Sequence, residues 1–267
     1  MQTVFLTGAA SGIGRACALE LARGGARLYL IDRDEPGLAE TASHARALGA
    51  TVTTVVADLA TADLDALAAA ALAELGHIDI LFSNAGVAVV KPLDRTTPED
   101  WQWIFDVNVW APIRLTRAIV PAMIARRSGH VVMTSSVAGL VGAPGMIAYS
   151  TTKFAITGFC EALRAELAAS GIAVTLVCPG YVRTSLHRNT RYANRAFEAM
   201  LDAPPAWWGV TPERAARAIV RAIARRDPQL VFGIEKLGWY LKRLAPATSF
   251  ALARWAAQRA GLIGAAP

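Results

Sequence analysis

The amino-acid sequence predicts an α/β domain. The expected architecture is a doubly wound parallel sheet of about seven strands with helices on both faces, followed by a C-terminal helical extension. Three observations carry that expectation. Short apolar runs alternate with segments of helical spacing, which implies strand–helix–strand crossovers and parallel pairing. The runs are nearly continuously apolar, as in strands buried on both faces. A glycine-rich turn joins the first run to the first helical segment.

The elements follow in order. Thr3–Thr7 reads as the first strand, and residues 14–23 as a helix whose Ala18, Leu21 and Ala22 share a face. Strands are expected at 27–31, 52–57 and 78–83, with helices at 35–48 and 64–75 between them. Residues 99–125 carry one long helix or a helix pair. Gly129–Thr134 is the fifth strand, 149–170 a helix and 173–178 the sixth strand. Pro212–Arg225 is helical, and 229–233 reads as the seventh strand. Residues 185–210, broken by Pro204-Pro205, show no obvious strand. A segment of that length without a sheet role is often a lid over a site.

Composition narrows the class. Of 267 residues, 54% are hydrophobic and 18% charged, which excludes a disordered chain. Glycine and proline number 21 and 13 without a three-residue period, which excludes collagen. Three cysteines do not make a disulfide scaffold; Cys17, Cys160 and Cys178 sit among apolar neighbours and read as buried thiols in a reducing compartment. Mean hydropathy is +0.35, yet no run approaches the ~20 apolar residues of a membrane span. With no basic n-region or cleavage site at the start, a cytoplasmic protein is expected. His44, His77, His130 and Lys91 are scattered without ligand spacing, so no metal site is expected.

Charge is unevenly distributed. Residues 1–180 hold 13 Lys and Arg against 16 Asp and Glu, whereas residues 181–267 hold 14 against 5. A basic C-terminal third suits anionic lipid, nucleic acid or an acidic substrate, or is simply a solvated face. No nucleic-acid module is recognisable, so no nucleic-acid partner is expected.

The turn Thr7-Gly8-Ala9-Ala10-Ser11-Gly12-Ile13-Gly14 follows a strand and opens a helix. Gly8 permits a tight turn, Gly12 close approach of backbone to a pyrophosphate, and Gly14 close packing of helix on strand. Helix N-terminal N–H groups supply positive charge for phosphates. Asp32 ends the second strand, where a carboxylate accepts hydrogen bonds from adenine-ribose hydroxyls and repels a 2′-phosphate. NAD is therefore favoured. Arg33, which can pair with a 2′-phosphate, keeps NADP as the alternative.

The full motif set resembles the classical short-chain dehydrogenase/reductase family over nearly all of residues 3–184. The turn has TGxxxGIG spacing. Asp58 follows the third strand, Ser83-Asn84-Ala85-Gly86 the fourth, and Asn108 lies in the long helical stretch. Ser135-Ser136 ends the fifth strand, Tyr149 and Lys153 form YxxxK, and Pro179-Gly180-Tyr181-Val182-Arg183-Thr184 matches PGxVxT. The resemblance implies a Rossmann-type fold and NAD(P)-dependent oxidation of alcohols or reduction of carbonyls; the alternative is a dinucleotide-sensing regulator without turnover, disfavoured because all four catalytic residues are present. It places Ser11 and Ile13 at the phosphates, with Ser11 where NADP-binding members carry a basic residue. Asp58 and Leu59 would flank the adenine, and Asn84, Ala85 and Gly86 the ribose side. Pro179, Gly180 and Val182 belong to the cofactor motif, and Thr184 would bond the carboxamide or a phosphate. It also implies an alcohol or ketone substrate and a homodimer or homotetramer. Residues 1–235 are then the cofactor-binding and catalytic domain, with 185–210 as substrate loop and 236–267 as extension.

Tyr149 and Lys153, four residues apart on a helix, share a face. A nearby ammonium and a positive nicotinamide would favour the phenolate, making Tyr149 a base for the alcohol proton. By resemblance, Lys153 also holds the nicotinamide ribose, and Ser136, thirteen residues before Tyr149, bonds the substrate oxygen. Ser135 is the second choice. Asn108 would hold a water that continues the proton path from Lys153.

Residues 185–210 carry Leu186, Tyr192, Phe197, Met200, Leu201, Trp207 and Trp208, enough for a broad apolar wall, so a medium or large apolar alcohol or ketone is expected. Arg188, Arg191 and Arg195 in the same stretch are expected to face water. The tail sets Trp239, Tyr240, Phe250 and Trp255 beside Lys236, Lys242, Arg243, Arg254 and Arg259. Such helices either pack on the domain or a partner subunit, or lie in a membrane interface.

Overall fold

The computed structural model describes residues 1–193, 208–259, 261 and 263. Its strands are β1 (Thr3–Thr7), β2 (Arg27–Asp32), β3 (Thr51–Val56), β4 (Ile80–Ser83), β5 (Ala88–Val90), β6 (Gly129–Thr134), β7 (Ile172–Pro179), β8 (Thr190–Tyr192) and β9 (Gln229–Phe232). The helices are α1 (Gly12–Arg23), α2 (Glu35–Ala47), α3 (Leu64–Leu75), α4 (Pro98–Phe105), α5 (Ala111–Arg126), α6 (Ile147–Leu167), α7 (Pro212–Arg225), α8 (Lys236–Leu244) and α9 (Pro246–Arg259).

The main sheet has seven strands in the order β3-β2-β1-β4-β6-β7-β9, and every pair is parallel. The chain winds outward from β1 through β2 to β3, then returns beside β1 and winds the other way. The direction of winding therefore reverses between β1 and β4. The crevice beyond the carboxyl ends of strands at such a reversal is where open α/β sheets bind ligands.

One core layer sets Leu67 of α3, Leu115 and Ile119 of α5 and Ile156 of α6 against Phe5, Leu81 and Val131. The opposite layer sets Cys17 and Leu21 of α1, Leu38 of α2 and Ile219 of α7 against Leu6, Leu30 and Phe82. Both faces of the central strands are thus buried, the cause of their continuous apolar runs. Helix starts are fixed locally. Asp34 and Asp63 accept from the Gly37 and Ala66 amides at 3.3 and 3.0 Å, and Thr97 with Asp100 closes a capping box on α4. The expected helical stretch 99–125 is α4 and α5 joined by a π-helical turn, Asp106–Trp110. The three cysteines are free and buried.

Two expectations need correction. Residues 185–210 do hold a strand: β8 pairs in parallel with β5, and Val182 bridges Val210. The strand is three residues long, too short to leave an alternating signature. Arg191 does not simply face water. It pairs with buried Asp100 at 3.0 Å and lies 4.1 Å from the centre of the Trp103 ring. Asp100 also takes Lys91 at 2.7 Å, so two cations compensate one buried carboxylate. Phe197, Met200, Leu201, Trp207, Arg195 and Pro204-Pro205 lie outside the described residues.

The tail folds back. Trp239 packs on the core, Ser249 and Ala257 are buried, and the Lys242 ammonium donates to the Leu140 carbonyl at 2.8 Å. Among the described residues no helix is long and apolar enough to cross a membrane.

Candidate active site

A cleft of about 1170 Å³ lies at the carboxyl ends of the strands, where the winding reverses. Its wall brings together Gly8, Ser11, Gly12, Ile13, Asp32, Arg33, Asp58, Leu59, Asn84, Ala85, Gly86, Ser136, Tyr149, Lys153, Pro179, Gly180, Val182 and Thr184. Of the residues singled out from sequence, Gly14 and Asn108 stand behind the wall rather than in it.

The glycine turn is sterically fixed. Gly8 has φ +71°, and a Cβ there would stand 2.8 Å from the Ala85 Cα. Gly14 lets α1 press on the turn, since a Cβ would overlap the Gly8 carbonyl. Gly12 serves a contact the sequence did not reveal. Its Cβ would meet Thr184 at 2.9 Å, so the loop after β7 closes directly onto the turn. The Ser185 hydroxyl reinforces that closure by donating to the Ser11 hydroxyl at 2.8 Å.

At the other end of the turn, the Asp32 carboxylate accepts from the Ala10 and Asp34 amides at 2.9 and 3.0 Å. Arg33 lies 3.6 Å from Asp58 and donates to Asn189 at 2.8 Å. Asp32, Arg33, Asp34 and Asp58 all line the cleft, and Asp58 is the carboxylate paired with Arg33. Asn84 is chiefly a clamp between strands. Its amide nitrogen reaches the Thr7 and Gly8 carbonyls at 3.3 Å, and its oxygen accepts from Thr134 at 3.2 Å.

Ser136, Tyr149 and Lys153 converge opposite the turn, because β6 ends at the level of the second turn of α6. Lys153 is buried, donates to the Thr134 carbonyl at 3.0 Å and stands 5.5 Å from the Tyr149 ring centre. Burial depresses its ammonium to about 8. Burial raises the Tyr149 pKa above its ordinary value, opposed by a hydrogen bond with Ser136. Ser136 accepts from the Ala138 amide at 3.1 Å and faces the cleft. Ser135 turns the other way, donating to the Lys153 carbonyl at 2.8 Å. Asn108, in the π-helical turn, holds Val87 by both its amide and carbonyl at 2.9 Å and donates to Thr152 at 3.1 Å. Its oxygen stands behind Gly86, near the Lys153 ammonium.

The sequence missed a group at the open end. Tyr181 stacks on Trp208 with ring centres 4.3 Å apart, and the Trp208 indole donates to Glu235 at 3.0 Å. Glu235 lies against Gly180, where a Cβ would overlap its carboxylate. Leu186 and Tyr192 join this wall as expected, and Ala253, Ala256 and Ala257 of α9 complete it. The bond between residues 208 and 235 is long-range and leaves no local pattern in the sequence.

Residues 2–195 match the family model described as short chain dehydrogenase. The chain belongs to the short-chain dehydrogenase/reductase family, a family of oxidoreductases. It is 40% identical over 192 residues to estradiol 17-beta-dehydrogenase 11 of Pongo abelii, covering 70% of this chain and 64% of that protein. A short-chain dehydrogenase/reductase from Burkholderia phymatum in complex with NAD superposes with TM-score 0.81 at 30% identity, covering 100% of this chain and 97% of that one. A short-chain dehydrogenase from Sphingobium yanoikuyae in complex with NADPH gives TM-score 0.77 at 27% identity, with the same coverage.

Proposed function

We propose that the protein is an NAD-dependent oxidoreductase that interconverts a secondary alcohol and its ketone, with an apolar substrate of medium or large size. The observation that carries this reading is the convergence of Ser136, Tyr149 and Lys153 between the glycine turn and the Tyr181–Trp208 wall. The residues fit a dinucleotide. The turn and the start of α1 would hold the pyrophosphate, Asp32 the adenine ribose, and Lys153 the nicotinamide ribose. NAD is favoured over NADP because Asp32 stands at the end of β2 and repels a 2′-phosphate, while Asp58 and Asn189 already hold Arg33.

A dinucleotide held by these residues would supply or accept the hydride. Ser136 donates a hydrogen bond to the substrate oxygen. Tyr149 gives that oxygen a proton in reduction and removes it in oxidation. Lys153 favours the phenolate electrostatically, and the position of Asn108 behind Gly86 suits a proton path leading away from Lys153. The apolar wall places the reacting carbon and excludes water. Residues 1–235 would work as one catalytic unit, with Leu186, Tyr192 and Trp208 on the substrate side of the cleft and 236–267 as an extension. Assembly into two or four copies is supported by exposed Trp110, Ile147 and Phe154. Cytoplasmic residence is supported by the three unbridged thiols.

Measuring kcat/KM along a homologous series of secondary alcohols tests the reading. Each buried methylene contributes about 0.8 kcal/mol, so efficiency should climb about fourfold per carbon. A flat or falling series removes the apolar substrate. Absence of NADH binding removes the NAD preference, and absence of both NADH and NADPH binding removes the catalytic reading.

A further inference from the structure

The tail helices have two faces. The inner face of α8 is the one already described, with Trp239 on the core and Lys242 bound to Leu140. The outer face presents Lys236, Leu237, Tyr240, Arg243 and Leu244, at spacings that fall on one side of a helix. Leu237 is 60% exposed, Tyr240 50% and Leu244 85%. On α9, Leu252 and Trp255 are also more than half exposed, and the Arg259 guanidinium covers the Trp255 ring at 4.9 Å. Residues 236–267 contain five Lys and Arg and no Asp or Glu.

We infer that the outer face of α8, extended by α9, docks on an anionic phospholipid surface. Leucines and aromatics flanked by cations, with no acidic residue, match the chemistry of the headgroup boundary. The apolar side chains enter it and the cations meet lipid phosphates. A protein partner fits less well, because interface centres are depleted of Lys, whereas this face is cationic throughout with no acidic residue to balance it. The two helices also build the cleft: Gly238 of α8 and Ala253, Ala256 and Ala257 of α9 line it. Docking therefore brings the open end of the cleft beside the bilayer, where an apolar alcohol or ketone is concentrated. That last step rests on the proposed function; the docking does not.

The test is flotation of the full chain with vesicles of phosphatidylcholine alone or mixed with phosphatidylglycerol. Binding to the mixed vesicles should exceed binding to phosphatidylcholine by about tenfold or more and should fall with added salt. The double variant Leu237→Glu/Leu244→Glu should lose about tenfold of that binding with NADH affinity unchanged, since neither residue lines the cleft. If it fails to fold, Lys236→Glu/Arg243→Glu, at two exposed positions, carries the same test. The inference is overturned if the wild type ignores anionic vesicles, or if it binds both compositions equally. It is also overturned if the variants bind as wild type, or if they reduce the oligomer mass by light scattering, which would assign the face to a second copy. An NADH titration of the same samples separates the two readings. Flotation without NADH binding removes the proposed enzyme and leaves the membrane contact.

Discussion

The Asn189 side-chain oxygen accepts a 2.8 Å hydrogen bond from the Arg33 guanidinium, joining residues 156 positions apart in sequence. Arg33 follows β2 near the glycine turn, whereas Asn189 belongs to the segment after β7 that leads to Tyr192 on the cleft wall. With Asp58 on its other nitrogen, Arg33 is held by two partners and is not free to swing toward a 2′-phosphate. Asn189→Ala is therefore expected to shift the ratio of NADH to NADPH dissociation constants toward NADPH by about tenfold, the equivalent of about 1.4 kcal/mol. In an Arg33→Ala background the same change should do nothing, which makes the double-mutant cycle decisive. Fluorescence titration of both dinucleotides reads it directly.

Tyr149→Phe should abolish most turnover while leaving the NADH dissociation constant within about twofold, since the ring still packs and only the transferable proton is lost. Loss of a positioned general acid–base costs about 10²–10⁴ in rate. Turnover near the wild-type level would remove Tyr149 from the chemistry.

Lys153→Met should inactivate the enzyme and yet stabilise the dinucleotide-free protein. The ammonium is depressed from 10.5 to about 8, so burying it in charged form costs stability at neutral pH. The cost is fully present below about pH 8 and disappears as pH rises toward the unfolded value. Leaving the Thr134 carbonyl without its partner offsets part of the gain, for a net stabilisation of about 1–2 kcal/mol. Thermal melting at neutral pH checks the sign, and a fall in melting temperature would refute it.

His130 offers a pH test remote from the cleft. Its ring bonds the Thr175 hydroxyl at 2.8 Å, and burial depresses it from 6.5 to about 4. The folded state therefore holds the neutral ring where the unfolded chain is already protonated. Stability should fall as pH drops from about 6.5 toward 4, by up to about 3 kcal/mol. Denaturant titrations of wild type and His130→Gln over that window should show a shallower slope in the variant.

The glycine turn, Asp32, the Tyr149–Lys153 pair and the order of strands and helices were legible because each rests on local chemistry. A turn that needs positive φ demands glycine, a strand buried on two faces demands continuous apolar residues, and a helix places positions four apart on one side. The sequence by itself therefore determined the parallel sheet and its crossovers. It also identified which residue types belong at its carboxyl edge. The tertiary structure decided what depends on distance through space. It closed Thr184 onto Gly12, tied Arg33 to Asn189 and Trp208 to Glu235, and paired Arg191 with Asp100. It buried Tyr149, which raises the phenol pKa, because burial is a property of everything packed around a residue and not of its neighbours in sequence. It also divided the tail into an inner face that lines the cleft and an outer apolar, basic face. Periodicity marks a stripe on a helix, but only packing decides which stripe is covered.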